Sequence, residues 1–186
     1  MKQQIIDSKA NPSSTGEADD CLFEYLHAEL VNYVLSRSSN AAGTSNAACS
    51  SNAEGEEELS RLEWMGFSVG YRIIERLTRE WSRFKDELDM IKFICTDFWS
   101  SLYHKQIDNL RTNHHGVYVL QDNAFRLLDK VGTSNSKQYL KESPRLLAFT
   151  CGLLRGSLAN LGIISTVTAE TTTLPSCKFH VQVQKI

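Results

Sequence analysis

The chain has 186 residues and a nearly balanced charge, with 20 lysines and arginines against 22 aspartates and glutamates and a net charge of −2. This length allows a single domain with a substantial hydrophobic core. The charge balance excludes a general attraction to nucleic acid or acidic membranes, so either would need a local basic patch. The N-terminus lacks a secretory signal, and no apolar run reaches the roughly 20 residues of a membrane span. We therefore expect a cytosolic chain.

A polar segment precedes the first predicted helix. Residues 1–18 show no hydrophobic periodicity, so we expect a disordered tail. Asp19 and Asp20 can cap a helix and favour its positive end. That helix is predicted to run to about Ser36. One broad face carries its apolar side chains, which are Leu22, Phe23, Leu26, Leu30, Tyr33 and Val34.

A low-complexity insertion separates the first two predicted helices. Residues from about 37 to 57 consist mainly of Ser, Asn, Ala and Gly and contain no large apolar side chain. Such a segment cannot be packed into a core. Because closing a loop costs only about 0.6 kcal/mol per doubling of its length, we expect a flexible insertion within one domain that spans residues 19–186.

The second predicted helix begins near Glu56 and ends near Trp81, and between residues 62 and 77 it has apolar side chains on most of its circumference. At about 100° per residue these side chains form two stripes. The first consists of Leu62, Met65, Val69, Ile73 and Leu77, beside Gly66 and Gly70. The second consists of Trp64, Phe67, Tyr71 and Ile74. Because a surface helix needs only one apolar stripe, we assign the first to the core and expect the second to meet another layer of the chain or a partner protein.

The middle of the chain changes from helical to strand periodicity. A third helix is predicted from the N-cap Asp86 onward. Beyond Lys105 the apolar residues alternate, and residues 106–112 and 117–121 are predicted to form a hairpin. We interpret residues 125–127 as a short third strand.

The last part of the chain returns to a helix and then to strands. Ser143 followed by Pro144 predicts a helix start, and Gly162 predicts its end. Residues 163–170 and 177–184 are predicted to pair as strands, the second alternating strictly between apolar and polar side chains. This order of elements predicts an α+β fold, with about four helices layered on an antiparallel sheet of about four strands.

The sequence contains no recognisable catalytic or cofactor motif. There is no nucleophile elbow, phosphate loop or dinucleotide fingerprint. The five cysteines are scattered, with no histidine at ligand spacing. We interpret Cys151 as a buried structural thiol and the pair His114 and His115 as turn residues. The remaining histidines are expected at the surface or at an interface, and these are His27, His104 and His180.

A short aromatic and basic segment follows the second helix. Trp81, Arg83, Phe84 and Lys85 could form a patch for nucleic acid or lipid. Because only four residues carry this pattern before Asp86, we prefer to interpret the segment as a link between helices whose long side chains cover apolar surface.

Four stretches of the sequence are long enough to compare with known families. They are MGFSVGYRIIERLTREWSRFKDELDMIKFICTDFW, KQIDNLRTNHHGVYVLQDNAFRLL, LAFTCGLLRGSLANLGIISTVTAE and CKFHVQVQKI. Together they resemble the subunit 6 family of the small subunits of the transport protein particle, TRAPP, a vesicle-tethering complex. The resemblance covers about residues 20–36 and 59–186. It implies an α/β plait and a non-catalytic subunit that forms a heterodimer with the acylated small subunit of the same complex. The tail and the insertion depart from the family pattern, but both lie outside the predicted elements.

The resemblance also implies where such a subunit works. The assembled particle acts in ER-to-Golgi and Golgi traffic and promotes nucleotide exchange on a Rab GTPase, mainly through other subunits. We therefore expect a cytoplasmic protein that is peripheral at the cis-Golgi and endoplasmic reticulum, with membrane contact only as part of the complex and no nucleic acid. The side chains expected at the partner interface are Phe23, Leu26, Leu30, Tyr33, Trp64, Phe67, Tyr71 and Ile74.

Two other functions remain open on the sequence. The apolar helices could enclose a hydrophobic ligand or lipid, as in an α+β lipid-binding domain. A hydrolase that uses Cys151 and a histidine is the more remote alternative. Acylation in the manner of the sibling subunit is not expected, because residues 78–87, before and at the start of the third helix, contain no cysteine.

Overall fold

The computed structural model describes residues 15–41, 51–81, 83–113, 115–129 and 136–184. Within these ranges the helices are α1 Thr15–Ala41, α2 Ser51–Thr78, α3 Glu87–Phe93, α4 Trp99–Tyr103, α5 Arg126–Asp129 and α6 Ser136–Asn160, and a π-helical turn at Ile94–Phe98 joins α3 to α4. The strands are β1 Asn109–Thr112, β2 Val117–Asp122, β3 Ser165–Thr173 and β4 Ser176–Val183. This arrangement confirms the predicted α+β fold class.

The four strands form one antiparallel sheet in the order β1-β2-β4-β3. In β4 the side chains of Cys177, Phe179 and Val181 are buried, whereas Lys178 and His180 between them are half-buried on the other face. The same alternation runs through β2 and β3. One face of the sheet is therefore covered by helices, and the other carries the polar side chains, as the alternation in the sequence predicts.

Aromatic rings fill the space between the sheet and the α3–α4 segment. Trp99 contacts Tyr103, Phe125 and Phe179, with ring centroids 4.6, 5.8 and 5.4 Å apart. The indole N–H of Trp99 donates to Oδ2 of the fully buried Asp122 at 3.0 Å, which satisfies the polar atom that the ring brings into the core. None of the described helices is long and apolar enough to cross a membrane.

Helices α2 and α6 run parallel and pack closely through glycines on both. A Cβ atom built on Gly66 would lie 2.0 Å from the carbonyl oxygen of Phe149, and one on Gly70 would lie 2.2 Å from that of Leu153. Gly152 meets the carbonyl of Glu63 in the same way. Only glycine fits at these positions, because any side chain would overlap the backbone of the facing helix.

Three predicted boundaries are wrong. α1 begins at Thr15 and ends at Ala41, so the end of the expected tail and the start of the expected insertion are helical. α2 begins at Ser51, within the second half of the insertion. Residues 1–14 and 42–50 lie outside the described ranges. The added turns carry no apolar stripe, so the apolar periodicity on which the prediction relied could not indicate them.

Two further predictions in the second half are wrong. α6 begins at Ser136, so Pro144 lies inside the helix instead of at its first position. Residues 126–129 form the short helix α5 instead of a third strand. Phe125, Leu127 and Leu128 are all buried, and so short an apolar run does not distinguish a strand from a helical turn.

Candidate partner interface on helices α1 and α2

The buried face of α2 differs from the predicted core stripe. Leu62 and Ile74 are both fully buried, although Ile74 was assigned to the partner stripe, whereas Val69 of the expected core stripe is 40% exposed. The glycine contacts explain the difference, because Gly66 and Gly70 must face α6. They turn the buried face by roughly 60° around the helix axis from the stripe that the apolar residues predict.

Three aromatic side chains form a stacked row along the outside of α2, which we call the aromatic ladder. Trp64 stacks on Phe67 with ring centroids 6.0 Å apart and an interplanar angle of 5°, and Phe67 stacks on Tyr71 at 6.2 Å and 28°. Trp64 is 65% and Tyr71 43% exposed, and Phe67 is half-buried. The ladder is thus a preformed aromatic surface that faces solvent.

A charged pair lies beside the aromatic ladder. The guanidinium of Arg155 in α6 lies over the ring of Phe67, 5.4 Å from its centroid, and its Nη1 lies 3.6 Å from Oε2 of Glu63. Burial raises the pKa of the Glu63 carboxyl, and the positive charge of Arg155 partly offsets this rise. Arg155 therefore supports Phe67 and neutralises the carboxylate that would otherwise interrupt the apolar surface.

Helix α1 presents a second exposed apolar surface, which we call the α1 stripe. It consists of Leu22, Tyr25, Leu26 and Tyr33, exposed by 65, 70, 67 and 51%. The opposite side of α1 buries His27, Val31 and Val34. The two valines pack with Leu62 of α2 and Ala148 of α6, which attaches α1 to the helix pair.

The aromatic ladder and the α1 contact lie on different sides of α2. Leu62 and Met65, which pack with α1, are roughly 150° around the helix axis from the middle of the ladder. The ladder is therefore not covered by α1. A partner that contacted the ladder would leave the packing of α1 against the α2–α6 pair intact.

The eight predicted interface residues divide into three groups. Leu26, Tyr33, Trp64 and Tyr71 are exposed. Phe23, Leu30 and Phe67 are half-buried. Phe23 meets Tyr103 edge to face at 6.1 Å, and Leu30 packs on the Val31–Val34 cluster. Ile74 belongs to the chain's own core and is not available to a partner. The exposed Leu22 and Tyr25 were not predicted, although the spacing of Leu22, Leu26 and Tyr33 places them on one side of a helix.

The described thiols are buried in environments that disfavour their ionised form. Cys151 is 5% exposed, and burial raises its pKa to about 12. Burial likewise raises the pKa of Cys95 to about 12. Because the thiolate is the nucleophile, Cys151 is unsuited to the hydrolytic mechanism considered above. In the described ranges no three His, Cys, Asp or Glu side chains are placed to hold a metal ion.

The described histidines belong to no cluster that could hold a metal ion. His115 lies exposed in the β1–β2 turn, and its backbone N–H donates to Oδ1 of Asn113 at 2.9 Å, as expected of a turn residue. His114 lies outside the described residues. His27, expected at a surface or interface, is instead 4% exposed and packs against the ring of Phe149. The apolar periodicity of α1 includes position 27 on its buried side, which the sequence prediction overlooked.

Two cavities beside α1, within the described part of the chain, are small for a lipid. They have volumes of about 200 and 240 Å³ and flank the ion pair in which Arg126 Nη2 lies 3.0 Å from Glu24 Oε1. Both are below the roughly 300 Å³ at which ligand pockets usually begin. The space beneath the sheet is occupied by the rings around Trp99.

The fold and the surface define the class of protein. An exposed aromatic surface such as the ladder, on a packed α+β domain, is typical of a protein–protein interaction site. The chain belongs to the family of transport protein particle (TRAPP) components, whose family model matches residues 23–184.

Individual relatives support the same assignment. The chain is 53% identical over 169 residues to trafficking protein particle complex subunit 6b of Danio rerio and to subunit 6B of Homo sapiens, covering 91% of this chain and 99% of each relative. It is 49% identical over 168 residues to the human subunit 6A, covering 90% of this chain and 99% of that protein. These similarities confirm the predicted resemblance to subunit 6 of the complex.

A solved structure has the same fold. Trafficking protein particle complex subunit 3 from Naegleria fowleri, covalently bound to palmitic acid, matches with a TM-score of 0.69 and 13% identity, covering 91% of this chain and 97% of that chain. At this identity the similarity concerns the fold alone.

Proposed function

We propose that the chain is a non-catalytic structural subunit of the TRAPP vesicle-tethering complex and acts by forming a heterodimer with the acylated small subunit. In this role it supports the nucleotide exchange that the assembled complex promotes on a Rab GTPase in ER-to-Golgi and Golgi transport. The protein is cytoplasmic and peripheral at the cis-Golgi and endoplasmic reticulum. Its contact with membranes occurs within the complex, and it binds no nucleic acid.

The observation that carries this proposal is the exposed aromatic ladder. Trp64 and Tyr71 together leave on the order of 250 Å² in water, if a fully exposed aromatic side chain presents about 150–250 Å². At about 25 cal/mol per Å², covering this area contributes on the order of 6 kcal/mol before the costs of association. Aromatic side chains held rigid in advance are typical anchors of a protein interface.

The exposed apolar area of the chain is divided between two surfaces. The ladder presents on the order of 250 Å², only about a third of the about 800 Å² that each partner buries in a standard interface. A heterodimer centred on the ladder must therefore bury further surface beside it. The α1 stripe points away from the α2–α6 pair, so we assign it to a separate contact within the same assembly.

A partner of similar fold is consistent with this arrangement. The palmitate-bound subunit 3 has helices and a sheet in the same arrangement as this chain. Two chains of one fold can pack through equivalent helices around a pseudo-twofold axis, so each contributes the same elements to the interface. The buried Cys95 and Cys151 offer no reactive thiol for a catalytic role within such a dimer.

The experiment co-expresses the chain with a tagged acylated small subunit and measures the fraction that co-purifies. Trp64→Asp and Tyr71→Asp place a charge on the ladder, which is expected to abolish co-purification. Ile164→Asp is the matched control, because Ile164 is also an exposed apolar residue, at 51%, but lies between α6 and β3. Retention of the heterodimer in both ladder variants would overturn the interface, as would equal loss in the control.

A further inference from the structure

A row of arginines follows the exposed side of α2 and continues past its end. Arg72, Arg76 and Arg79 are spaced i, i+4 and i+7, which places them within about 60° of one another around the helix axis. Arg83 and Lys85 continue the row toward α3. We call these five residues the basic stripe. All five are exposed, and residues 72–85 contain only Glu75 and Glu80 as acidic counterparts.

The basic stripe forms no ion pair within the described part of the chain. Every ion pair recorded in those ranges involves other cations, such as Arg61, Lys105 and Arg126. The exposed guanidinium groups are therefore available to an external anion.

The acidic side chains at the start of α3 are engaged in local hydrogen bonds. Asp86 accepts the backbone N–H of Asp89 as the N-cap of α3, at 2.7 Å. Asp89 accepts the backbone N–H of Lys85 at 3.3 Å, and Glu87 accepts the hydroxyl of Tyr118 at 2.6 Å. These carboxylates cap and fix the α2–α3 corner, so they are oriented toward the chain itself.

Trp81 lies at the end of the basic stripe and is half exposed, at 49%. Its ring meets Phe93 edge to face at 4.7 Å and stacks on Phe84 at 6.4 Å. The indole is thus fixed on one side by the core and open to solvent on the other. Tryptophan is enriched where an apolar phase meets water, because its ring is amphipathic.

The helix dipole accounts for only part of the basic stripe. A cation near the C-terminus of a helix is stabilised by the helix dipole, but the effect is limited to the last turn. Arg76 is the basic residue in the last turn of α2. The dipole does not explain Arg72, one turn earlier, or Arg83 and Lys85 beyond the end of the helix.

We propose that the basic stripe and Trp81 form a peripheral contact with an anionic membrane surface. The guanidinium groups bind lipid phosphates and carboxylates, for which their planar donors are well suited, and the indole of Trp81 enters the headgroup region. Clusters of four to eight basic residues beside an amphipathic helix are typical of such contacts. This inference goes beyond the assembly role and does not depend on the aromatic ladder. One chain binds weakly, and several contacts within a complex add up to stable attachment.

The test measures sedimentation of the full-length chain with vesicles of phosphatidylcholine alone and of phosphatidylcholine mixed with phosphatidylserine. Binding is expected only to the mixed vesicles and is expected to weaken as salt is raised. The double variant Arg76→Glu, Arg79→Glu should reduce binding by more than about tenfold. The control Arg111→Glu, Lys178→Glu changes the charge equally on the outer face of the sheet and should stay within about twofold of the unmodified chain.

Tryptophan fluorescence tests whether the indole of Trp81 enters the headgroup region of the membrane. The emission should shift to shorter wavelength when mixed vesicles are added, because the indole of Trp81 leaves water. Trp81→Phe should abolish the shift, whereas Trp64→Phe should retain it. Trp99 is fully buried and should not respond.

The proposal would be overturned by no binding to mixed vesicles, by equal binding to neutral vesicles, by equal loss in the control variant, or by a shift that persists in Trp81→Phe. If the chain fails to bind vesicles but binds polyaspartate or nucleic acid, the proposal is also overturned and the stripe is assigned to an acidic macromolecule. Co-purification of the double variant with the acylated small subunit should be unchanged, which separates this test from that of the heterodimer.

Discussion

Gly152 of α6 lies directly against the backbone carbonyl of Glu63 in α2, so closely that a Cβ atom on the glycine would sit 2.1 Å from that oxygen. One turn later Gly156 meets the carbonyl of Phe67 at the same distance. These two contacts fix the backbone of α2 on either side of Trp64. The orientation of the aromatic ladder therefore depends on how α6 packs.

Substitution of Gly152 by alanine should strongly destabilise the domain. The new methyl group would overlap backbone atoms of α2, which cannot move away as a flexible side chain could, so the two helices must separate. We expect a loss of at least about 2 kcal/mol in the free energy of unfolding, measured by urea denaturation.

Gly55→Ala is the matched control, since Gly55 also lies in α2 but has no atom within 4 Å of the added methyl group. Alanine should stabilise the helix by about 0.5–1 kcal/mol at this position. A Gly152→Ala variant as stable as the unmodified chain would contradict the close approach of the two helices.

His27 should make the domain sensitive to acid. Burial lowers the pKa of its imidazole to about 4, and a hydrogen bond with the backbone at Leu146 only partly offsets this. In the unfolded chain the pKa is about 6.5, so the unfolded state binds the proton first as the pH falls. The contribution of neutral His27 is therefore fully present above about pH 6.5 and is lost down to about pH 4.

The expected loss is about 3 kcal/mol in the free energy of unfolding, at about 1.4 kcal/mol per pKa unit. His27→Leu should flatten the dependence of stability on pH across this window. His115→Gln, at an exposed turn residue, should leave the dependence unchanged. If the free energy of unfolding of His27→Leu depends on pH as strongly as that of the unmodified chain, His27 is accessible to protons in the folded state.

The buried thiols should resist alkylation in the native protein. Burial raises the pKa of Cys95, Cys151 and Cys177, so the reactive thiolate is scarce at mildly alkaline pH. A variant with serine at positions 21 and 49 leaves only these three cysteines. Mass spectrometry after iodoacetamide treatment should find none of them modified until the chain is unfolded in urea. Rapid native alkylation of Cys151 would contradict its placement in the core.

Much of the fold follows from local patterns in the sequence. Asp86 caps α3 as predicted, and its side chain accepts the N–H of Asp89. The alternation from Cys177 onward fixes which face of β4 is buried, because side chains in a strand alternate strictly between faces. Gly162 ends α6 with a positive φ of 88°, which only glycine adopts readily. In each case the signal lies within a few residues.

The buried face of α2 could not be predicted from the periodicity of its apolar residues. Val69 and Ile74 are both apolar, but Ile74 faces the core and Val69 faces water because Gly66 and Gly70 turn α2 toward α6. A glycine contributes nothing to an apolar stripe, so the buried face was placed too far around the helix. The aromatic ladder was found from its excess of apolar surface, whereas its support by Arg155 comes from a distant helix.

The most direct test of the heterodimer is the mass of the purified chain mixed with the acylated small subunit, measured by light scattering after size-exclusion chromatography. We predict a single species with the summed mass of one copy of each chain, and two separate species when the chain carries Tyr71→Asp. Separate species for the unmodified chain, or an intact heterodimer with Tyr71→Asp and Trp64→Asp combined, would contradict the proposed interface.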